Sequence, residues 1–544
     1  ERTRLNHLKV LFFVGANDVF LPGNLGQGGL LSDRDREQFA EQKFSLSPGA
    51  KEKTYTQKFY LYMNLTKPSE KLYLSYSKTS ADGKGLRPAY LIQDLKRMYP
   101  NLEVIEEEKK SLSEKEMTWM QGAKYLVDGL AERQYGLSDE WKELYSWYFE
   151  QDKNQENPLV LQRILDAAFY KKEKEQLKKE TAKDLYGNTE RVSVTRLERF
   201  SSCAYAHFLT YGLRLSERER YQFEAMDLGN IAHQSMERFA RKADDIQVEW
   251  TAMSEEVKER FIQESVEESI LEYGNTVLYS TARNEYTITR IKKLIQRSVW
   301  ALTKQMAESD FRPSLYEFNF GSGKIDRIDT CEDENGVYVK VTDYKTGMKA
   351  FDITAFYHGL QIQLPVYLNA ALDVEQKRHK GKEIIPAGIF YYRMQDPIVD
   401  KEDDDEVLEG KILKELRLDG LVNADEIVVE LLQHNLEGTS NYIPVSKTKS
   451  GALSKTSKAL YPDEFLEFLD YTKKLEAKLK GKIADGEVQA EPYEMGGATG
   501  CDYCAYRAIC GFDTRIEGYE YRRLEKYSKE DVLEKIHIAA QEER

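Results

Sequence analysis

Four of the five cysteines fall into a pattern that could hold a metal. Cys501, Cys504 and Cys510 form C-x2-C-x5-C near the C-terminus, and Cys203 lies far upstream in Phe200-Ser201-Ser202-Cys203. Thiolates this close in sequence can share one centre, because a tight turn directs several sulfurs inward. The nearest histidine to the cluster is His537, so an all-cysteine site with Cys203 as fourth ligand is expected. The spacing suits zinc and an iron–sulfur cluster alike. With Cys203 included, the metal would close the whole interval into one unit, and its binding free energy would become folding free energy. The fifth, Cys331 in Cys331-Glu332-Asp333-Glu334, reads as a free thiol in an acidic loop.

Inside that interval lies a second set. Gly323-Lys324-Ile325-Asp326-Arg327-Ile328-Asp329 precedes Val337-Tyr338-Val339-Lys340-Val341-Thr342-Asp343-Tyr344-Lys345. The second stretch is β-branched and alternating, so it predicts a strand with Asp343 and Lys345 on one face. Asp326 falls on the preceding strand of a hairpin turned at Asp333-Glu334-Asn335-Gly336. Two carboxylates and a lysine on one sheet face suit Mg²⁺ chemistry, in which a bound ion polarises a phosphoryl oxygen and lowers the pKa of a water. The lysine can orient that water and offset charge on phosphorus oxygens. Taken alone, D-x-K is more often a surface salt bridge of small worth. Upstream, Leu228, Ile231, Ala232, Ser235, Met236 and Phe239 mark one helix face, with Gly229 and His233 at its edge. Downstream, Gln363 and Tyr367 lie four apart on another helix; Gln361 is the competing glutamine.

These groups need a scaffold, and the composition allows one. The chain has 544 residues, 41% hydrophobic and 32% charged, which predicts a multidomain globular protein and not a disordered one. Five cysteines exclude a disulfide scaffold and point to a reducing, intracellular compartment. No apolar run is long enough to cross a membrane. Arg2, Arg4 and Lys9 before Val10–Val14 imitate a secretory leader, but Asn17-Asp18 follows at once, so a buried parallel strand is expected. A chain opening on Glu1 suggests a piece of something longer. The net charge of −14 argues weakly against binding nucleic acid over the whole surface, yet leaves room for a local basic channel.

Residues 1–110 read as α/β, with a second strand at Lys71–Tyr76, and 111–189 as a helical connecting region. Short strands are expected around 316–345, a helix near 354–372, and a C-terminal helical tail at 521–544. Leu21-Pro22-Gly23-Asn24 and Lys401–Glu406 read as turns. Ser446–Lys458, with Lys447, Lys449, Lys455 and Lys458 and no acidic residue, reads as a flexible loop of a composition that could meet phosphates.

In order, G-x3-H (Gly229, His233), G-K-I-D-R-I-D (Asp326), D-Y-K-T-G (Asp343, Lys345) and Q-x3-Y (Gln363, Tyr367) resemble the motifs of the RecB-type nucleases. The enclosing cysteines resemble the iron-staple branch of that family, carried by AddAB-type bacterial helicase–nucleases. The resemblance covers about residues 190–515, within a nuclease domain drawn at 190–520. It implies a restriction-endonuclease-like mixed sheet flanked by helices and closed by a metal cluster. It implies a [4Fe–4S] cluster on Cys203, Cys501, Cys504 and Cys510. It also implies Mg²⁺ (replaceable by Mn²⁺ or Ca²⁺) on His233, Asp326, Asp343 and the Tyr344 carbonyl. Lys345 would be the catalytic lysine, with Gln363 and Tyr367 supporting the site or the DNA strand.

The same resemblance makes 1–110 the tail of an inactivated superfamily 1 helicase-like domain. Lys78 stands there where an arginine would contact phosphates, and no G-x4-G-K-[ST] loop is present. The function implied is metal-dependent DNA hydrolysis within an ATP-dependent helicase–nuclease, in double-strand break repair by homologous recombination. The helicase-like part would recognise Chi, and a partner of the AddA type would supply the motor in a heterodimer. A bacterial cytoplasmic, nucleoid-associated location goes with it. The competing reading is a non-catalytic, cluster-stapled DNA-binding or Chi-recognition scaffold. The family usually has more chain between Phe320-Gly321 and Gly323, which makes the connection at 321–323 a point to inspect.

Overall fold

The computed structural model describes residues 6–21, 31–44, 46–80, 84–107, 110–111, 117–131, 136–153, 159–187, 192–218, 223–279 and 281–541. Arg2, Arg4 and the turn at Pro22–Asn24 lie outside them, as does the expected boundary at 189/190. The chain divides into two compact units between Ala168 and Phe169.

In the first unit, β1 (Val10–Phe13) pairs in parallel with β2 (Lys71–Leu74). The direction matches expectation and the burial does not: Phe12 is 67% exposed and Val14 76%. A two-stranded sheet covers too little of its own faces to bury them, although Phe12 and Tyr73 stack at 4.8 Å across the pair. Asn17 gathers the loops beyond the strands, donating through Nδ2 to the Ser77 and Arg87 carbonyls and accepting from the Ser77 N–H. Lys78 pairs with Glu106 at 3.0 Å. Helices Trp119–Ala131, Asp139–Lys153 and Val160–Ala168 close around Leu126, Tyr148 and Ile164.

The second unit is built on a six-stranded mixed sheet, in the order β3 (Arg312–Asn319), β4 (Lys324–Glu332), β5 (Val337–Lys345), β6 (Ile384–Arg393), β7 (Asp419–Asn423), β8 (Ala459–Leu460). β3, β4 and β5 run antiparallel in turn; β5 pairs in parallel with β6, and β7 with β8. β5 lies inside the sheet and is buried on both faces. Val337, Val339 and Val341 enter one core, Tyr338 and Tyr344 the other. Each valine so buried contributes roughly 1.5–3 kcal/mol. Helices Ala225–Asp245, Glu255–Leu278 and Ala282–Ala307 belong to the core on the tyrosine side. Helices Lys179–Tyr186, Val194–Ser202, Gln363–Arg378 and Pro462–Ala484 belong to the core on the valine side.

Three local expectations change. Cys331 lies in β4, 9% exposed, and not in an acidic loop. The turn begins two residues later, where the Asp333 N–H donates to the Gly336 carbonyl. The single helix expected near 354–372 is two, Ile353–Tyr357 and Gln363–Arg378. Gly359, at φ +79°, stops the first, and a Cβ there would meet Ser201 Oγ at 2.7 Å. The acidic turn at 401–406 ends in a helix, with Asp404 capping Asp405–Glu415 through the Glu406 N–H. At 321–323, Phe320 N–H donates to the Gly323 carbonyl and Gly321 takes φ +92°, a tight turn that joins β3 to β4.

Candidate active site and cysteine centre

Strand pairing brings the carboxylates together. Arg327 pairs with Thr342 across β4 and β5, so Asp326 and Asp343 lie side by side just beyond that rung, at the end of the two strands. The Tyr344 N–H, where the ladder opens, donates to Asp326 Oδ2 at 2.6 Å. Asp343 is 2% exposed and forms an ion pair with the Lys345 ammonium. Burial and then the Asp326 charge push the Asp343 carboxyl up, while Lys345 and His233 pull it down less strongly. Lys345 also sits over the Tyr391 ring, 5.5 Å from its centroid.

His233 projects from helix Ala225–Asp245, with Nδ1 3.2 Å from Asp326 Oδ2. Burial works against its protonated form, but Asp326, with help from Asp343, outweighs burial and raises its pKa. Gly229, one turn earlier, passes close to the strand ends; a Cβ there would stand 3.3 Å from Thr346 Oγ1. Gln363 Nε2 donates to the Tyr367 hydroxyl at 3.0 Å. Gln361 is occupied elsewhere, accepting from the Asp352 N–H and donating to the Ala350 carbonyl. The Tyr344 ring lies in the core on the tyrosine side of the sheet, edge-on to Tyr392 and to the His233 ring.

Glu317 is the residue that sequence reasoning missed. His233, Glu317 and Asp326 each offer a ligand atom, and these atoms lie within 4.8 Å of one another. Burial, then the nearby Asp326 charge, lifts the Glu317 carboxyl to about 7 despite its ion pair with Lys324. Its φ of +47° is costly for a residue with a β-carbon, and such strain clusters at functional positions. In sequence Glu317 is one acidic residue in an ordinary strand, separated from Asp326 by a turn. Only its place on β3, antiparallel to β4, could have shown it. Two crowded carboxylates and an imidazole are hard donors that fit a divalent cation, whose charge would relieve their repulsion.

Cys203, Cys501, Cys504 and Cys510 line one cavity, with Tyr205, Tyr506 and Tyr521 among its other walls. All four are free thiols. Burial, opposed by the Ala206 and Tyr205 N–H groups, pushes the Cys203 thiol up to about 11, with Cys510 and Cys501 adding to the rise. A bound metal would remove those protons outright. The Arg199 guanidinium reaches Cys504 Sγ at 3.9 Å and offers the sulfur a charged donor. The set fits a soft metal centre with four thiolates.

The segment Ser446–Lys458, expected as a flexible loop, carries β-bridges at Thr439–Ser446 and Lys447–Leu453. Lys458 is engaged with Asp419 at 2.5 Å. Among the described residues, no helix is long and apolar enough to cross a membrane.

The sequence was compared with known proteins. A relative from Lachnoclostridium phytofermentans is 38% identical over 98% of this chain and 47% of its own length. One from Alkaliphilus oremlandii is 32% identical over 98% and 49%, and one from Geobacillus kaustophilus 31% over 98% and 48%. Each is named as the B subunit of an ATP-dependent helicase/deoxyribonuclease. The chain thus spans about half the length of these curated relatives. Residues 191–511, which hold the mixed sheet, the D-x-K strand and all five cysteines, match the PD-(D/E)XK nuclease superfamily, and the chain belongs to it.

Proposed function

We propose that the second unit hydrolyses DNA phosphodiester bonds as the nuclease part of an ATP-dependent helicase–deoxyribonuclease, in the place its relatives' B subunits hold. The observation that carries this reading is the convergence of His233, Glu317 and Asp326 beside the Asp343–Lys345 pair at the open end of β4 and β5. A divalent cation, Mg²⁺ in the cell, would be held by His233, Asp326 and Asp343, with Glu317 at hand, and would supply Lewis acidity toward the scissile phosphate. The Lys345 ammonium, fixed by Asp343 and the Tyr391 face, orients the attacking water and offsets negative charge on the phosphorus oxygens. Gln363 and Tyr367 act as a hydrogen-bonded pair that holds the strand end being cut. Cys203, Cys501, Cys504 and Cys510 hold a [4Fe–4S] cluster as a structural staple.

The names of the relatives support a helicase partner, taken here as an AddA-type motor in a heterodimer, and DNA as the substrate. Chi recognition by the first unit, a role in recombinational repair and a cytoplasmic, nucleoid-associated setting complete the proposal. The pairing of Lys78 with Glu106 and the absence of a phosphate loop from the sequence support a first unit that does not hydrolyse ATP by itself.

The test is Mg²⁺-dependent cleavage of end-labelled single-stranded DNA by anaerobically purified complex, with Lys345→Ala beside the parent. Loss of a charged donor at a developing anion costs about 10²–10³ in kcat, and a loss at least that large is expected with the cluster spectrum unchanged. Equal cutting by parent and variant would move the chemistry to another chain and leave this one a DNA-binding scaffold.

A further inference from the structure

Helix Val194–Ser202 runs into Cys203, whose N–H donates to the Arg199 carbonyl at 3.0 Å. One turn and a half before Cys203, the Glu198 side chain leaves this helix to meet another. Its Oε1 accepts the N–H groups of Ile362 at 2.9 Å and Gln363 at 3.0 Å. These open helix Gln363–Arg378, whose N-cap position is Ile362, an aliphatic side chain with nothing to accept a hydrogen bond. A helix start leaves four backbone donors without intrahelical partners and carries partial positive charge, which a carboxylate satisfies on both counts. The local sequence supplies no cap, so a residue 164 positions away does. The helix capped in this way carries Gln363 and Tyr367 in its first turns.

We infer that Glu198 is a positioning residue for the nuclease site, a borrowed cap that fixes the Gln363/Tyr367 helix and ties it to the cysteine centre through one short helix. Glu198 and Cys203 are separated by roughly 7.5 Å of helix rise. The far end of that helix is held from the other side of the cysteine motif, where the Arg522 guanidinium donates to the Ser201 carbonyl. A shift of Cys203 therefore moves Glu198, and a shift of Glu198 moves Gln363. The inference rests on the nuclease reading above.

The experiment uses the full-length protein with its motor partner, as Glu198→Ala and Glu198→Gln, each with and without Gln363→Ala. Readouts are kcat and KM on end-labelled single-stranded DNA, iron per chain, and amide hydrogen exchange over residues 361–367. Glu198→Ala is expected to lower kcat at least tenfold with KM within twofold, keep its iron, and speed exchange at residues 362 and 363. Glu198→Gln, whose carbonyl oxygen can still accept both N–H groups, should stay within threefold of the parent. In the Gln363→Ala background the alanine at 198 should cost less than a further threefold, because the two residues act as one. A parental kcat in Glu198→Ala, or fully additive losses, would overturn the inference. Should Glu198→Ala not fold, Glu198→Gln decides: retained protection and activity support the cap, and a tenfold loss with protection intact overturns it. An iron-replete parent that does not cut refutes the nuclease reading, and the exchange data then judge the cap alone.

Discussion

His207 shows how one buried side chain sets a pH limit on this fold. It is fully buried against Tyr186, Phe200 and Tyr211, and Arg196 Nε donates to its Nε2 at 2.9 Å. Burial, and then the Arg196 charge, lowers its pKa from 6.5 to about 3. Above pH 6.5 the imidazole is neutral in folded and unfolded chains alike. Below that, the unfolded chain takes up a proton the folded one refuses, so stability falls steadily until about pH 3. Between pH 7 and pH 5 this one group should cost about 2 kcal/mol. His207→Gln, which keeps an acceptor for Arg196, should remove that loss from denaturant melts at the two pH values; an undiminished loss would assign the acid sensitivity elsewhere. At this scale the sequence was legible wherever a residue belonged to a motif, as with Asp326, Asp343, Lys345 and His233. Glu317, Glu198 and His207 act through partners on other elements, and no spacing along the chain announces them.

The elements were legible where one physical rule governed a run. The β4–β5 hairpin followed from alternation and from Asp333–Gly336, and the helix bearing His233 from its apolar spacing. Boundaries failed where tertiary packing intervened, as at Cys331, which the core on the tyrosine side draws into β4, and at Gly359, where Ser201 leaves no room for a side chain. Packing between strands also yields a prediction. Gly420 on β7 lies against the β6 backbone, and a Cβ there would sit 1.8 Å from the Ile389 carbonyl oxygen. Backbone cannot yield as a flexible side chain can, so Gly420→Ala should destabilise the second unit by about 3 kcal/mol or more. Urea melts of the variant would show this, and a change under 1 kcal/mol would mean that β7 moves freely.

The whole molecule is two units, and only the second contains the thiols. If the proposed cluster is a staple, removing iron by anaerobic chelation, or replacing Cys510 with Ser, should loosen residues 169–544 and leave residues 1–168 as they were. Hydrogen exchange measured peptide by peptide checks this, and unchanged protection throughout 169–544 would deny the cluster any share in folding. The cysteine spacing pointed to one shared centre, and the structure brings the four thiols to one cavity. The sequence could not reveal that the helix ending at Cys203 also caps the helix of Gln363, because that contact exists only in the assembled unit. The same arrangement sets an order of events during synthesis. Cys203 leaves the ribosome 307 residues before Cys510, a wait of roughly 15–60 s at 5–20 residues per second. Through the last part of that interval the chain already carries every carboxylate and the lysine of its site, but not all the thiols that finish it. On the nuclease and cluster readings together, an enzyme able to cut its own genome is held back until its cysteine motif has been translated, and an unfinished copy is an unarmed one.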